Sequence, residues 1–260
     1  VTPRHDFAYV QARLQARHGR RPGLSTWQAL ESSRTAGHYL TLARSGPMAD
    51  WAEPLDERGD PHRIERSLRA CWRRHVDEVA RWLPQRWQAA TRWFATLIEL
   101  PLIEMLRHGG LPPRWLHEDE RLAAFAQPDP AERRAALRAA GLAPFAAAQA
   151  GQDERGTAAI WLDEWRRMAP NDGHDPALLR RPAELLLPYL GGAGHARDAA
   201  AQATRDQLSK LFRRHAGSAV AVFAHLSLVA LDLERLRGGV LVRCLFPPGG
   251  EPAVTPSDPA

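Results

Sequence analysis

From Leu208 to Val240 the chain places Leu208, Phe212, His215, Ala219, Val222, Leu226, Val229, Leu233, Leu236 and Val240 at alternating intervals of four and three, without a slip. Steps of three and four keep one stripe on one face of an α-helix, and here every member but His215 is apolar. The spacing predicts a single continuous helix of about 35 residues, which at 1.5 Å per residue is about 50 Å long. An element of that length crosses an entire domain. The fold expected around it is all-α: an elongated multi-helix bundle with a long C-terminal helix, related helical bundles being stacked along it. Inside this segment, the run from Ala216 to Leu231 is apolar but bounded by Arg214 and Asp232 and interrupted by His225. It falls short of the roughly 20 apolar residues that a membrane span needs, so it reads as a buried core helix.

The rest of the chain agrees with this class. A first helix is expected from about Asp6 to His18, ended by Gly19. A second, capped by Ser25 or Thr26, runs to the residue before Gly46-Pro47. After a Pro- and Gly-rich connector, Asp60-Pro61 is an N-cap and first-turn pair opening a third helix that stops at Pro84. A fourth meets Pro101, where it kinks or a new helix begins, and Gly109-Gly110 closes the unit. No convincing strand pattern occurs; GVLVRCLF at 239–246 tolerates β structure but continues a helical pattern. These breaks suggest an N-terminal helical bundle over 5–126, a C-terminal bundle over 131–246 and a disordered tail over 247–260, whose composition has little to bury.

Charge enters next, because 35 basic residues against 30 acidic ones give a net charge of +5 and a pI of about 10. Taken alone this invites a nucleic-acid or anionic-membrane reading. Yet Lys210 is the only lysine, so the high pI reflects an arginine-rich composition. Acidic residues are interleaved, with no block of five like charges. No nucleic-acid partner is expected. Two isolated cysteines, Cys71 and Cys244, fit a reducing compartment better than a disulfide framework. With no apolar signal region after Val-Thr-Pro-Arg, the expected location is the cytoplasm, with peripheral association on the cytoplasmic face of a membrane left open.

A search for catalytic motifs finds no Gly-rich phosphate loop, no Gly-x-Ser-x-Gly, no His-Glu-x-x-His and no Glu-x-x-His. His117-Glu118-Asp119-Glu120 reads as an acidic first turn at a helix N-terminus rather than a metal cage. Asn171 to Asp175 reads as a turn that lacks the later acidic ligand of a calcium loop. Glu99 and Glu104 stand in the apolar run LIELPLIEML. A carboxylate there is costly to bury unless paired, so the choice lies between arginine partners or exposure and a carboxylate pair for acid–base work. Trp72, Trp82, Trp87 and Trp93 fall in one helical hairpin and read as core. No metal, no cofactor and no enzymatic activity is expected.

One further pattern lies in DFAYVQARLQAR at 6–17. Phe7, Val10 and Leu14 form an apolar stripe, while Tyr9, Arg13 and Arg17 form a second line at intervals of four. Tyr9, Ala12 and Arg13 in an opening helix, then TWQALESSRTAGHYLTLARS, the connector GPMADW and IERSLRACWRRHVDEVARWLP, resemble in order the start of the central-stalk socket family of the V-type and A-type ATPases, their C-type subunits (d-type in eukaryotes). The closing helix FAHLSLVALDLERLRGG is similar to that family's last helix. Asp232 stands where Glu is usual, Arg235 where Asn is usual, and Arg237 keeps its place. The resemblance covers about the first 85 residues and the last 40, and the chain is about one bundle shorter than the family's three.

The resemblance implies a non-catalytic socket that links the tip of a rotary central stalk to a membrane ring of proteolipid subunits. The candidate binding residues are Tyr9, Arg13, Arg17, Asp232, Arg235 and Arg237, and the resemblance implies that Tyr9 and Arg13 fix the first helix to the last through Asp232 or Glu234. Three alternatives remain: a shortened free-standing adaptor or scaffold, a helical enzyme using Glu99 and Glu104, and a nucleic-acid binder.

Overall fold

The computed structural model describes residues 7–57, 60–146, 156–171, 173, 175–190 and 198–247, and within these the fold is all-helical. The α-helices are α1 (Ala8–Gly19), α2 (Leu24–Glu31), α3 (Ala36–Arg44), α4 (Ala49–Ala52), α5 (Pro61–Trp82), α6 (Gln85–Phe94), α7 (Leu100–Arg107), α8 (Pro130–Ala139), α9 (Ala143–Ala146), α10 (Thr157–Met168), α11 (Pro176–Leu186), α12 (Asp198–Arg214) and α13 (Ala219–Leu245). Short 3₁₀ turns at Ala95–Glu99, Arg114–Glu118 and Leu122–Ala126 connect them.

Several boundaries follow from cap chemistry. Asp60 accepts a hydrogen bond from the His62 backbone N–H at 3.0 Å and Pro61 occupies the first turn of α5, as the pair predicts. Asp129 and Asp175 cap α8 and α11 in the same way, each followed by proline. At Pro101 the second of the two expected outcomes holds: α6 passes into a 3₁₀ turn, and α7 starts with Pro101 in its first turn. Asp119 accepts from the backbone N–H groups of Arg121 and Leu122 just ahead of the 3₁₀ turn Leu122–Ala126, but His117 and Glu118 end the preceding turn Arg114–Glu118, so the acidic stretch is not the first turn of a helix as expected.

The segment expected to form the second helix is two helices. The backbone leaves α2 at Ser32 and re-enters as α3 behind Thr35, whose hydroxyl accepts from the His38 N–H at 3.2 Å. Ser25 and Thr26 lie inside α2, whose N-cap is Gly23. The break falls at Ser-Ser-Arg-Thr because serine and threonine compete for backbone groups inside a helix and favour caps.

The expected 35-residue terminal helix is also corrected. It breaks at residues 215–218, where Gly217 adopts φ +75°, a conformation open to glycine at little cost. α12 and α13 pack against each other, and Arg205 on α12 reaches the backbone oxygen of Leu231 on α13 at 3.5 Å, so the pair is an antiparallel hairpin. α13 alone has 27 residues, a length of about 40 Å. The apolar spacing runs unbroken across the turn because both helices turn their stripes toward the same core.

α13 is the axis of the molecule. Every residue from Ala219 to Leu233 is buried, including His225, Ser227 and Asp232. A helix buried on all sides needs neighbours on all sides, and α1, α3, α5, α11 and α12 supply them. One apolar core runs from Phe7 to Val240 and includes Trp72, Trp87, Trp93, Trp161 and Trp165. Trp93 and Trp161 each donate their indole N–H to the other's backbone oxygen, at 3.0 and 3.3 Å, joining α6 to α10. The tryptophans of the α5–α6 hairpin are core as expected, save Trp82, which is partly exposed. Among the described residues no helix is long and apolar enough to cross a membrane. The tail beyond Pro247, residues 172 and 174 of the expected turn, and Asp6 lie outside the described residues.

Candidate functional site

The charged residues singled out in the sequence gather on two sides of the core. The first is a seam of ion pairs between α13 and its neighbours. Asp232 is almost fully buried and accepts from Arg21 Nε at 2.8 Å, with Arg21 Nη2 at 2.7 Å and Arg205 at 3.9 Å. Burial outweighs these cations, so the Asp232 pKa lies above the ordinary carboxylate value. Arg235 binds Glu31 at 2.5 Å and covers the Trp27 ring at 4.8 Å, tying α13 to α2. Arg237 bridges Glu65 of α5 at 2.5 Å and Glu234 at 2.8 Å. Arg243 donates to the backbone oxygens of Ser33 and Glu31 at the C-terminus of α2, where a cation meets the negative end of the helix dipole.

Asp232, Arg235 and Arg237 therefore form one seam. Tyr9, Arg13 and Arg17 are not part of it. Tyr9 is 60% exposed, and Arg13 donates to its hydroxyl at 2.6 Å. The guanidinium groups of Arg13 and Arg17 both lie 4.5 Å from the Trp82 ring. Arg17 also pairs with Glu78 at 2.6 Å. The expected clamp between Arg13 and Asp232 is thus replaced by one from Arg21, just past the end of α1. Arg13 sits on the face of α1 turned to Trp82, whereas the turn after Gly19 swings Arg21 toward α13. Arg21 stands in an Arg-Arg-Pro-Gly turn, and in the sequence nothing distinguishes it from a connector residue.

Beneath the seam lie three imidazoles. The His225 ring is 6.3 Å from that of His18 and 6.2 Å from that of His75, and His18 stacks on Phe212 at 4.3 Å. Burial, with help from nearby arginines, lowers the His18 and His75 pKa values to about 4 and that of His225 well below its ordinary value. All three are neutral near pH 7. Arg17 approaches His75 Nδ1 at 3.3 Å and can only donate, so the proton sits on Nε2. Neither ring nitrogen of His225 has a hydrogen-bond partner among the described residues. Three histidines spread over more than 200 positions of sequence carry no spacing signal.

The second gathering surrounds Glu99. This carboxylate is fully buried at the end of the 3₁₀ turn after α6, 2.6 Å from Arg73 and 3.6 Å from Arg121. Arg73 also binds Asp119 at 3.0 Å, and Arg121 donates to Thr96 at 2.8 Å. Burial works to raise the Asp119 pKa, but Arg73 and two backbone N–H groups outweigh it and hold it below the ordinary value. Glu104 is elsewhere. It is partly exposed and accepts from the Thr157 N–H at 3.0 Å, joining α7 to the start of α10. Thus Glu99 has the arginine partners that burial demands, Glu104 serves a helix N-terminus, and the structure does not bring them together as an acid–base pair.

Beside the Glu99 network lies a groove of about 380 Å³, lined among others by Arg73, Arg92, Trp93, Arg121, Gly141 and Met168. The arginines at its wall are already engaged by Glu99, Asp119 and Asp77. Such a surface can seat an apolar side chain against Trp93 and Met168, but offers no free nucleophile. Among the described residues no group of three or more His, Cys, Asp or Glu side chains is placed to hold a metal ion. Cys71 and Cys244 are free thiols, the first buried and the second partly so. In comparisons with family models, with curated proteins and with solved structures, nothing matches the chain.

Proposed function

We propose that this chain is a non-catalytic helical coupling or scaffold protein, of the kind represented by the central-stalk socket family of the V-type and A-type ATPases, which its two ends resemble. The observation that supports this is the seam along α13. Asp232, Arg235 and Arg237 each join the central helix to a different neighbour: Asp232 to Arg21 behind α1, Arg235 to Glu31 of α2, and Arg237 to Glu65 of α5. Residues in the stretches that carry the resemblance thereby brace the helices into one stiff unit. A protein that transmits force or holds partners in place needs its own helices held in one register, and setting register is the best-attested use of buried ion pairs. In this reading the role of Asp232, Arg235 and Arg237 is structural, and partners meet the outer surface.

A shortened adaptor with other partners is the second reading, favoured by the middle of the chain, which does not share the resemblance of its two ends. The enzyme reading with Glu99 and Glu104 draws no support from two carboxylates engaged at separate sites. The experiment is a mild-detergent pull-down of the tagged chain from its native cells, with partners identified by mass spectrometry. Central-stalk and proteolipid subunits are the expected catch. A different but consistent set transfers the proposal to the adaptor, and an empty pull-down overturns both.

A further inference from the structure

Two acid-free stretches of sequence meet on one face of the fold. Residues 7–30 contain Arg13, Arg17, Arg20 and Arg21 and no acidic residue, and residues 207–231 contain Lys210, Arg213 and Arg214 and none. The fold brings α1 beside the end of α12. His18 stacks on Phe212 at 4.3 Å, the Gly217 N–H donates to Gln11 at 2.9 Å, and Arg213 is close enough to His18 to depress its pKa. Glu78 pairs with Arg17 and also lies within the field of Arg13, and Asp232 pairs with Arg21. Arg13, Arg20, Lys210, Arg213 and Arg214 are all exposed, with Asp206 the exposed acid nearest them along α12. Elsewhere the charges of this chain are interleaved; here five exposed cations are carried by two acid-free stretches that pack together.

Two large exposed apolar side chains belong to the same acid-free stretch, 7–30: Tyr9 in the first turn of α1, 60% exposed, and Leu24 at the start of α2, 65% exposed. Arg13 and Arg17 both cover the Trp82 ring, and Arg13 holds the hydroxyl end of the exposed Tyr9. Single-stranded nucleic acid binds by stacking successive bases on several bare aromatic faces, which this arrangement does not supply. A protein partner needs a contiguous apolar patch at the centre of its interface, whereas the exposed apolar side chains of this stretch, Tyr9 and Leu24, belong to separate helices. A fluid anionic surface meets both conditions. Its charges move to each guanidinium without shape matching, and Tyr9 and Leu24 enter the headgroup boundary.

We infer that the α1–α12 face is a peripheral docking surface for anionic lipid bilayers, with Arg13, Arg20, Lys210, Arg213 and Arg214 as the charge contacts and Tyr9 and Leu24 as shallow apolar contacts. The inference stands independently of the scaffold proposal, since it predicts binding to lipid alone.

The test is co-sedimentation of the full chain with phosphatidylcholine vesicles containing about one-third phosphatidylglycerol, and with phosphatidylcholine alone. Binding is expected to the first and not the second. It should be released when salt rises from about 0.1 M to about 1 M, which shortens the Debye length from about 10 Å to about 3 Å. The triple variant Arg20→Glu, Arg213→Glu, Arg214→Glu should lose about 100-fold or more in partitioning, because each cation near such a surface contributes about fivefold. A control of equal charge change, Arg63→Glu, Arg134→Glu, Arg138→Glu, should bind as the parent. Circular dichroism melts check that both triples fold, and Tyr9→Ser, Leu24→Ser in the parent is a second, charge-neutral variant that should weaken binding. Equal loss in the two triples, equal binding to neutral vesicles, or no binding at low salt overturns the inference. Tighter binding of a single-stranded oligonucleotide that displaces the vesicles overturns it in favour of nucleic acid.

Discussion

Replacing Arg21 by alanine isolates the clamp between the end of α1 and the central helix. Asp232 is almost completely buried, and Arg21 is its close partner; Arg205 stands off at 3.9 Å. Removing one member of a buried pair costs about 3–5 kcal/mol, because the other charge stays buried without its counterion. Arg205 recovers part of this, so the expected loss is about 3 kcal/mol. For a chain of this size that is a drop of about 6 °C in Tm, and a matching fall in the urea midpoint at constant slope. Arg13→Ala supplies the contrast. Arg13 is exposed and lies on the surface against Tyr9 and Trp82, with Glu78 nearby, so its loss should cost about 1 kcal/mol or less. The double change Arg21→Met, Asp232→Leu removes both charges and should recover most of the stability lost in Arg21→Ala. The assay is urea unfolding followed by tryptophan fluorescence near pH 7. If Arg13→Ala costs as much as Arg21→Ala, or if the double variant is less stable than Arg21→Ala, the argument for this clamp is wrong.

Acid should destabilise the fold well above the carboxylate range. His18, His75 and His225 have folded pKa values below the ordinary 6.5, so the unfolded chain binds more protons; stability is complete above about pH 7 and is lost as pH falls from 6.5 toward 4. For His75 alone the loss at pH 5 is about 2 kcal/mol, opposed in part by Asp232, whose raised pKa acts with the other sign. His225→Leu should flatten this dependence in urea melts taken between pH 8 and pH 5, and an unchanged slope would count against the buried-imidazole account. Arg73→Ala should destabilise by about 3 kcal/mol by stranding Glu99 and Asp119, measured as a shift in urea midpoint, whereas Glu104→Gln at its partly exposed site should cost about 1 kcal/mol or less. In α13, Gly238→Ala meets open space and should stabilise by about 1 kcal/mol, while the Cβ of Gly239→Ala would collide with the Tyr39 ring and hydroxyl, and should destabilise by about 1–3 kcal/mol. Thermal melts of the two neighbours should therefore shift in opposite directions.

What the amino-acid sequence reveals and what it conceals divide along a physical line. Apolar spacing reports which side of a helix faces inward, and on that question it is reliable: the stripe from Leu208 to Val240 is buried with the exception of His215, which is only partly so. It does not report whether the helix axis is continuous. The stripe crosses the turn at Gly217 in step because the two arms of the α12–α13 hairpin pack on one core. The local signal for the turn is His-Ala-Gly-Ser itself, a glycine able to adopt positive φ followed by a serine. The Pro101 and Asp60 boundaries are legible for the opposite reason, since proline and aspartate act on their own backbone within one turn. Charge pairing lies at the other extreme. In a chain with one lysine and many arginines, almost any acidic residue has an arginine within reach in sequence, so spacing cannot identify the partner. Asp232 pairs with a residue more than 200 positions away, and the difference between Arg13 and Arg21 is which side of Gly19 each occupies. The same remoteness hides the three histidines and the arginines that surround Glu99. Elements defined by local backbone chemistry can be read from such a sequence, whereas contacts made by long, interchangeable guanidinium side chains require the fold.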